Sequence, residues 1–90
     1  MNKKYKKQLN ELGWRYDNKL SDPHYYVFKR GIERLIIDCW KDRIEYNGYE
    51  DYEFFDYYYK ISHDTLKIVL KILDDEYDEI TEELRKINGE

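Results

Sequence analysis

The residue types that support nucleophilic chemistry are few in this chain, and their spacing does not suit it. Ser62, His63 and Asp64 supply the side chains of a hydrolase triad, but a triad is a spatial arrangement that three consecutive residues cannot form. Ser62 is better suited to cap a helix, with Asp64 as a favourable charge in the first turn. The sequence therefore predicts no catalytic residues and no enzymatic activity.

Metal and cofactor sites have equally little support in the sequence. The single cysteine, Cys39, and the two histidines, His24 and His63, match no zinc-binding spacing. The acidic runs lack the residue order of a calcium loop, and the four glycines are isolated, so no phosphate-binding loop is present. We expect no metal and no cofactor, and we interpret Cys39 as a small core residue in a strand.

Charge is divided unevenly along the chain. Residues 1–44 carry 11 Lys and Arg against 6 Asp and Glu, whereas residues 45–90 carry 5 against 14. The two parts therefore have net charges of +5 and −9, and the whole chain −4. Seven of the 11 tyrosines also fall in the acidic part. An acidic, aromatic surface suits a basic partner, so this pattern favours protein binding.

The most informative constellation is a group of carboxylates near the C-terminus. On a helix they form two adjacent rows, with about 6 Å between neighbours in each row. Like charges at i and i+4 destabilise a helix by about 0.2–0.5 kcal/mol per pair, and a basic partner is one reason to retain them. A solvated face, or an internal match to the N-terminal lysines, is the alternative. The predicted contact residues are Asp74, Asp75, Asp78, Glu79, Glu82 and Glu83.

A second acidic segment is interleaved with aromatic residues. Carboxylates can take the place of phosphates and tyrosine rings the place of bases, which is the pairing that a nucleic-acid mimic requires. An edge strand would have a similar sequence because Tyr is a strong β former, and AT-rich codon usage is a further source of tyrosine. The predicted partner-binding residues here are Tyr49, Glu50, Asp51, Tyr52, Glu53 and Asp56.

These features together predict a small interaction or inhibitor protein whose partner has a basic, nucleic-acid-binding groove. The lack of alanine and the excess of Lys over Arg indicate a low-GC genome. We therefore expect an anti-defence protein of a phage or mobile element, acting in the cytoplasm of a bacterial host cell. The N-terminus lacks the apolar segment of a signal peptide, and no apolar run is long enough to span a membrane.

Two other functions remain open. Apolar residues recur at alternating steps of four and three from Leu66 to Ile87, which is a heptad pattern. Its C-terminal part could form the seam of a homodimer. The candidate seam residues are Tyr77, Ile80, Leu84 and Ile87.

The second open function is direct nucleic-acid binding through Lys3, Lys4, Lys6 and Lys7, which the net acidity disfavours.

Ninety residues predict a single domain, and the patterns within it predict an α+β fold. A short helix over residues 3–12 ends at Gly13. Strands are predicted over residues 14–16, 24–30, 32–40 and 43–46, with a central position for the third. After the Asn47-Gly48 turn, residues 49–60 form a returning strand or switch to helix. A long helix over residues 63–88, with a break near Asp74 as the alternative, packs on one face of this antiparallel meander of three to five strands.

Overall fold

The structure is a computed structural model that describes residues 1–47 and 62–87. Within these ranges the chain forms helix α1 (Lys3–Glu11), strands β1 (Arg15–Tyr16), β2 (Tyr25–Arg30), β3 (Glu33–Asp38) and β4 (Arg43–Asn47), and helix α2 (His63–Ile87). The predicted α+β fold is confirmed. The predictions for Gly48 and for residues 49–60 lie outside the described residues.

Helix α1 begins and ends where the sequence predicts. Asn2 caps it, because its side-chain oxygen accepts a hydrogen bond from the backbone N–H of Lys4 at 2.8 Å. Gly13 follows the helix with a φ of 95°, a left-handed conformation that glycine adopts without a steric cost. Leu9 is fully buried, and Tyr5 and Leu12 pack partly buried against the same core, so these three residues form the apolar stripe of α1.

The four strands form an antiparallel sheet in the order β1-β2-β3-β4. β3 lies between β2 and β4, as predicted for the third strand. Phe28 pairs with Leu35 on the face that packs in the core, and Val27 pairs with Ile36 on the opposite face; all four residues are buried. Apolar side chains on both faces are the mark of strands in the interior of a sheet.

Helix α2 is continuous over 25 residues, a length of about 37 Å. The alternative of a break near Asp74 is therefore wrong. Ser62 caps the helix as predicted, because its Oγ accepts a hydrogen bond from the backbone N–H of Thr65 at 3.2 Å. Neither described helix combines the length and the apolar character that a membrane span requires.

The core lies between α2 and one face of the sheet, with α1 closing one side. Buried Trp14 donates a hydrogen bond from Nε1 to Oγ1 of Thr65 at 3.2 Å, which ties the first turn of α2 to the beginning of the sheet. The core residues are Leu9, Trp14, Tyr26, Phe28, Leu35, Ile37, Cys39, Val69, Ile72, Leu73 and Ile80. This packing decides which side chains of α2 face the protein and which face water.

Candidate functional site

The six carboxylates predicted on α2 are all exposed. Because α2 is one unbroken helix, they lie in the two neighbouring rows that the sequence predicts. The first row is Asp74, Asp78 and Glu82, and the second is Asp75, Glu79 and Glu83. We call these six residues the acidic face. They form a dense anionic surface on the second half of α2, and their role in partner binding remains a prediction.

Lysine and arginine do not neutralise the acidic face. In residues 1–47 and 62–87, no Lys or Arg forms an ion pair with any of its six members. The lysines of α1 were the expected internal match, but Lys6 instead lies over the ring of Tyr16, with Nζ 4.1 Å from the centroid. Within the described residues, the acidic face therefore has no lysine or arginine counter-ion.

Two members of the second row do have internal partners. The hydroxyl of Tyr5 donates a hydrogen bond to Asp75 at 2.5 Å, and this bond raises the pKa of Tyr5. Glu83 places Oε1 3.4 Å from Nε2 of His24. The first row makes no such contact with the described residues. The two rows thus differ: the first is exposed and forms no hydrogen bond or ion pair with the described residues, and the second borders the folded body.

The candidate dimer seam is divided by the fold. Tyr77, Leu84 and Ile87 are 64%, 48% and 78% exposed, but Ile80 is only 7% exposed and belongs to the core. Ile80 therefore packs in the core of its own chain, whereas the other three seam candidates are exposed. The seam itself remains a prediction. The tyrosine-rich contact residues Tyr49, Glu50, Asp51, Tyr52, Glu53 and Asp56 lie outside the described residues.

A buried acidic residue that the sequence analysis did not single out lies at the centre of a polar cluster. Glu76 is 5% exposed. Its carboxylate accepts a hydrogen bond from the hydroxyl of Tyr26 and lies 2.9 Å from the thiol of Cys39, which donates to Oε2. Oε1 also lies 3.6 Å from Nδ1 of His24 and 3.7 Å from the amino group of Met1.

The environment of Glu76 keeps both of its side-chain donors, the hydroxyl of Tyr26 and the thiol of Cys39, protonated. Burial raises the pKa of Tyr26, and the hydrogen bond to Glu76 raises it further. Burial likewise raises the pKa of Cys39, again reinforced by the hydrogen bond to Glu76. A protonated thiol is a weak nucleophile. Cys39 is therefore a structural hydrogen-bond donor here, and its interpretation as a core residue is confirmed. Its predicted place in a strand is wrong, because β3 ends at Asp38 and Cys39 lies in the turn that follows.

His24 occupies a constrained position beside this cluster. Its φ is 65°, in the left-handed region that few non-glycine residues adopt. Its carbonyl accepts a hydrogen bond from the backbone N–H of Cys39 at 2.8 Å. The ring of Trp40 packs edge-on against the imidazole, with centroids 5.1 Å apart. These contacts hold the imidazole against α2, facing Glu76.

Three side chains of this region have the chemistry and proximity of metal ligands. One ligand atom each from His24, Glu76 and Glu79 lies within 4.8 Å of the other two. A cleft of about 350 Å³ adjoins them, lined by Met1, Asn2, Tyr5, Ile72, Asp75, Glu76 and Glu79. Sequence spacing missed this group because His24 reaches Glu76 only through the packing of α2 on the sheet.

One signal for the burial of Glu76 was present in the sequence. Val69, Ile72, Glu76 and Ile80 recur at steps of three and four, so Glu76 takes a position on the buried stripe of α2. An acidic residue within an apolar stripe points to a paired, buried carboxylate. Its position among other acidic residues concealed that signal.

Comparisons of this chain with protein-family models, with curated proteins and with solved structures return no match.

Proposed function

We propose that this protein binds and inhibits a partner with a basic, nucleic-acid-binding groove, using the acidic face of α2. The observation that carries the proposal is the run of exposed carboxylates without lysine or arginine counter-ions in the described part of the chain. Such a surface attracts basic partners over distances near the Debye length, about 8–10 Å at physiological salt.

The cost of this arrangement supports a role in binding. Asp78 lies one turn from both Asp74 and Glu82, and each such like-charge pair destabilises a helix by about 0.2–0.5 kcal/mol. Burial of the apolar face of α2 offsets this repulsion within the fold. A cationic partner would remove the repulsion on binding, so the same charges that weaken the free protein would strengthen the complex.

Exposed apolar residues beside the acidic face supply the second element of an interface. Tyr77 is exposed between Asp74 and Asp78 along the chain, and Leu84 and Ile87 are exposed nearer the end of α2. Protein interfaces combine such apolar contacts with a charged rim. Together with the AT-rich codon bias, these features support an inhibitor from a phage or mobile element that takes the place of nucleic acid on a host enzyme.

The test uses the first row, whose members form no hydrogen bond or ion pair with the described residues. A triple variant, Asp74→Asn, Asp78→Asn and Glu82→Gln, removes three charges without touching the contacts of Asp75 or Glu83. The matched control, Glu11→Gln, Asp22→Asn and Asp42→Asn, removes three exposed charges elsewhere. Both variants and the wild type are immobilised, exposed to lysate of a low-GC bacterium and eluted with a salt gradient.

We expect the wild type and the control to retain basic nucleic-acid-binding enzymes that salt releases and that duplex DNA displaces. The helix variant should release the same proteins at lower salt, because fewer ion pairs form. Equal retention by all three proteins would reject α2 as the contact surface. Retention that DNA does not reduce would reject mimicry of nucleic acid.

Homodimerisation through α2 is the second candidate function, favoured by the exposure of Tyr77, Leu84 and Ile87. Light scattering after size-exclusion chromatography tests it over a range of concentrations. A dimer that dissociates when Leu84 and Ile87 are changed to serine would support an assembly role. A monomer at all concentrations would reject it.

A further inference from the structure

We propose that His24, Glu76 and Glu79 form a binding site for a divalent transition-metal ion, with Zn²⁺ as the expected occupant. Their ligand atoms lie within 4.8 Å of one another. Zinc holds nitrogen and oxygen ligands at about 2.0–2.2 Å, so the three atoms must approach slightly on binding. Glu79 is exposed and can change rotamer to allow this approach.

A buried nitrogen without a hydrogen-bond partner supports the binding of a cation at this site. Nδ1 of His24 is buried and has no hydrogen-bond partner among the described residues, and the side chain as a whole is only 9% exposed. A buried polar atom left without a partner destabilises the fold, so a ligand that supplies a partner is favoured. Nδ1 lies 3.6 Å from Oε1 of Glu76, which belongs to the same cluster of three possible ligands.

The other ring nitrogen determines what Nδ1 can do. Nε2 lies 3.4 Å from Oε1 of Glu83, so a proton on Nε2 is attracted to that carboxylate. In the tautomer that carries its proton on Nε2, the lone pair of Nδ1 is directed toward the carboxylate of Glu76, and two acceptors face each other. A cation between them converts this repulsion into ligation. Carboxylate partners on the second nitrogen are usual for histidines that bind metals.

The remaining contacts orient the proposed ligands. Tyr26 and Cys39 donate hydrogen bonds to Glu76 and hold its carboxylate in place, and Trp40 packs against the imidazole. Hydrogen-bonded ligating carboxylates are typical of metal sites. The cleft of about 350 Å³ beside Glu76 and Glu79 supplies a path from solvent. The amino group of Met1, 3.7 Å from Glu76, is a competing cation that the metal must displace or recruit.

The ligand set indicates the class of metal. One imidazole nitrogen and two carboxylates suit Zn²⁺ and its first-row neighbours, whereas Ca²⁺ and Mg²⁺ prefer oxygen ligands alone. Three protein ligands leave a position for water or for a group from a partner.

The test is calorimetric titration of the chelator-treated full chain with Zn²⁺, and separately with Mg²⁺. We expect one Zn²⁺ per chain, much weaker Mg²⁺ binding, and an increase in the thermal midpoint with Zn²⁺. Glu79→Gln alters an exposed ligand without disturbing the core and should weaken Zn²⁺ binding about tenfold or more. His24→Asn, whose asparagine tolerates the left-handed backbone, should weaken it further, with folding checked by circular dichroism.

Matched controls identify the location of the ion. His63→Gln removes the other histidine and Glu82→Gln an exposed carboxylate outside the cluster; both should bind Zn²⁺ as the wild type does. In nitrogen-15 spectra of the histidine rings, Zn²⁺ should shift Nδ1 of His24 while Nε2 stays protonated. No binding at millimolar Zn²⁺ would overturn the proposal. Undiminished binding by Glu79→Gln, or loss of binding by His63→Gln, would overturn it as well.

Discussion

Glu76 and Glu82 are the same side chain on the same helix, in opposite surroundings. Glu76 is 5% exposed and accepts hydrogen bonds from Tyr26 and Cys39. Glu82 is exposed and forms neither an ion pair nor a hydrogen bond with the described residues. The helical period separates them, because Glu76 falls on the stripe that packs against the sheet and Glu82 does not.

The difference shows that the effect of a carboxylate on stability or binding depends on whether it lies on the buried or the exposed side of α2. In the low dielectric of the interior, a carboxylate with fixed donors specifies how two elements pack, and losing it leaves those donors unpaired. At the surface, salt and water screen the same charge, and it acts on partners rather than on the fold.

The largest expected effect on the free energy of unfolding comes from removing the carboxylate of Glu76, which is buried, rather than that of Glu82. Glu76→Ala should lower the free energy of unfolding by about 3–5 kcal/mol, because it leaves Tyr26, Cys39 and His24 facing an empty site. Glu82→Ala should change it by no more than about 0.5 kcal/mol. Urea unfolding followed by tryptophan fluorescence measures both. Equal effects would show that Glu76 is not held in the interior.

Ile80 and Leu84 allow the same comparison of a buried with an exposed position on α2 for apolar side chains. Ile80→Ala should cost about 2–3 kcal/mol because Ile80 is in the core. Leu84→Ala removes a side chain that is 48% exposed and should cost less than about 1 kcal/mol. The same unfolding measurement applies, at low protein concentration so that association does not contribute. A larger cost for Leu84→Ala would indicate that its face is covered.

Glu33 falls between the two extremes, since its side chain is 22% exposed. Hydrogen bonds from Arg30 lower the pKa of Glu33 below its ordinary value of 4.5, and a hydrogen bond from Tyr46 lowers the pKa further. A lowered pKa in the folded state stabilises the protein above pH 4.5, and the contribution is lost as the pH falls through the folded value.

Glu33→Gln should therefore lower the free energy of unfolding by about 1 kcal/mol at pH 7, and the difference from wild type should shrink as the pH falls below 4.5. Unfolding curves at several pH values test this, with Glu11→Gln as the exposed control. A difference that stays constant with pH would contradict the ionic contribution.

The smallest effect should have the opposite sign. Asp78→Asn removes like-charge pairs with Asp74 and Glu82 and should stabilise the protein by about 0.4–1 kcal/mol at low salt. The gain should diminish in high salt because the repulsion is screened. Thermal unfolding at two salt concentrations tests both statements. Destabilisation by Asp78→Asn would mean that Asp78 has a stabilising contact.

Local patterns predicted the elements well. The cap at Ser62, the glycine at position 13 and the third strand each depend on neighbouring residues, and the structure has the corresponding helix ends and the strand β3. The heptad pattern did not predict the burial of Ile80 within its own chain, because such a pattern does not reveal whether a sheet or a second helix covers a position. The sequence indicated the burial of Glu76 only weakly, because its place on the apolar stripe of α2 is hard to distinguish within a run of acidic residues.

Periodicity, capping and charge content follow from contacts within a few residues, so the chain alone determined that α2 is long, amphipathic and acidic on its outer side. The meeting of His24 with Glu76, Glu79 and Glu83 joins parts of the chain more than fifty residues apart. It depends on the rotation and position of α2 over the sheet, which the packing of Trp14, Tyr26 and Cys39 sets. No local rule encodes that placement, because it results from burying the whole apolar stripe at once.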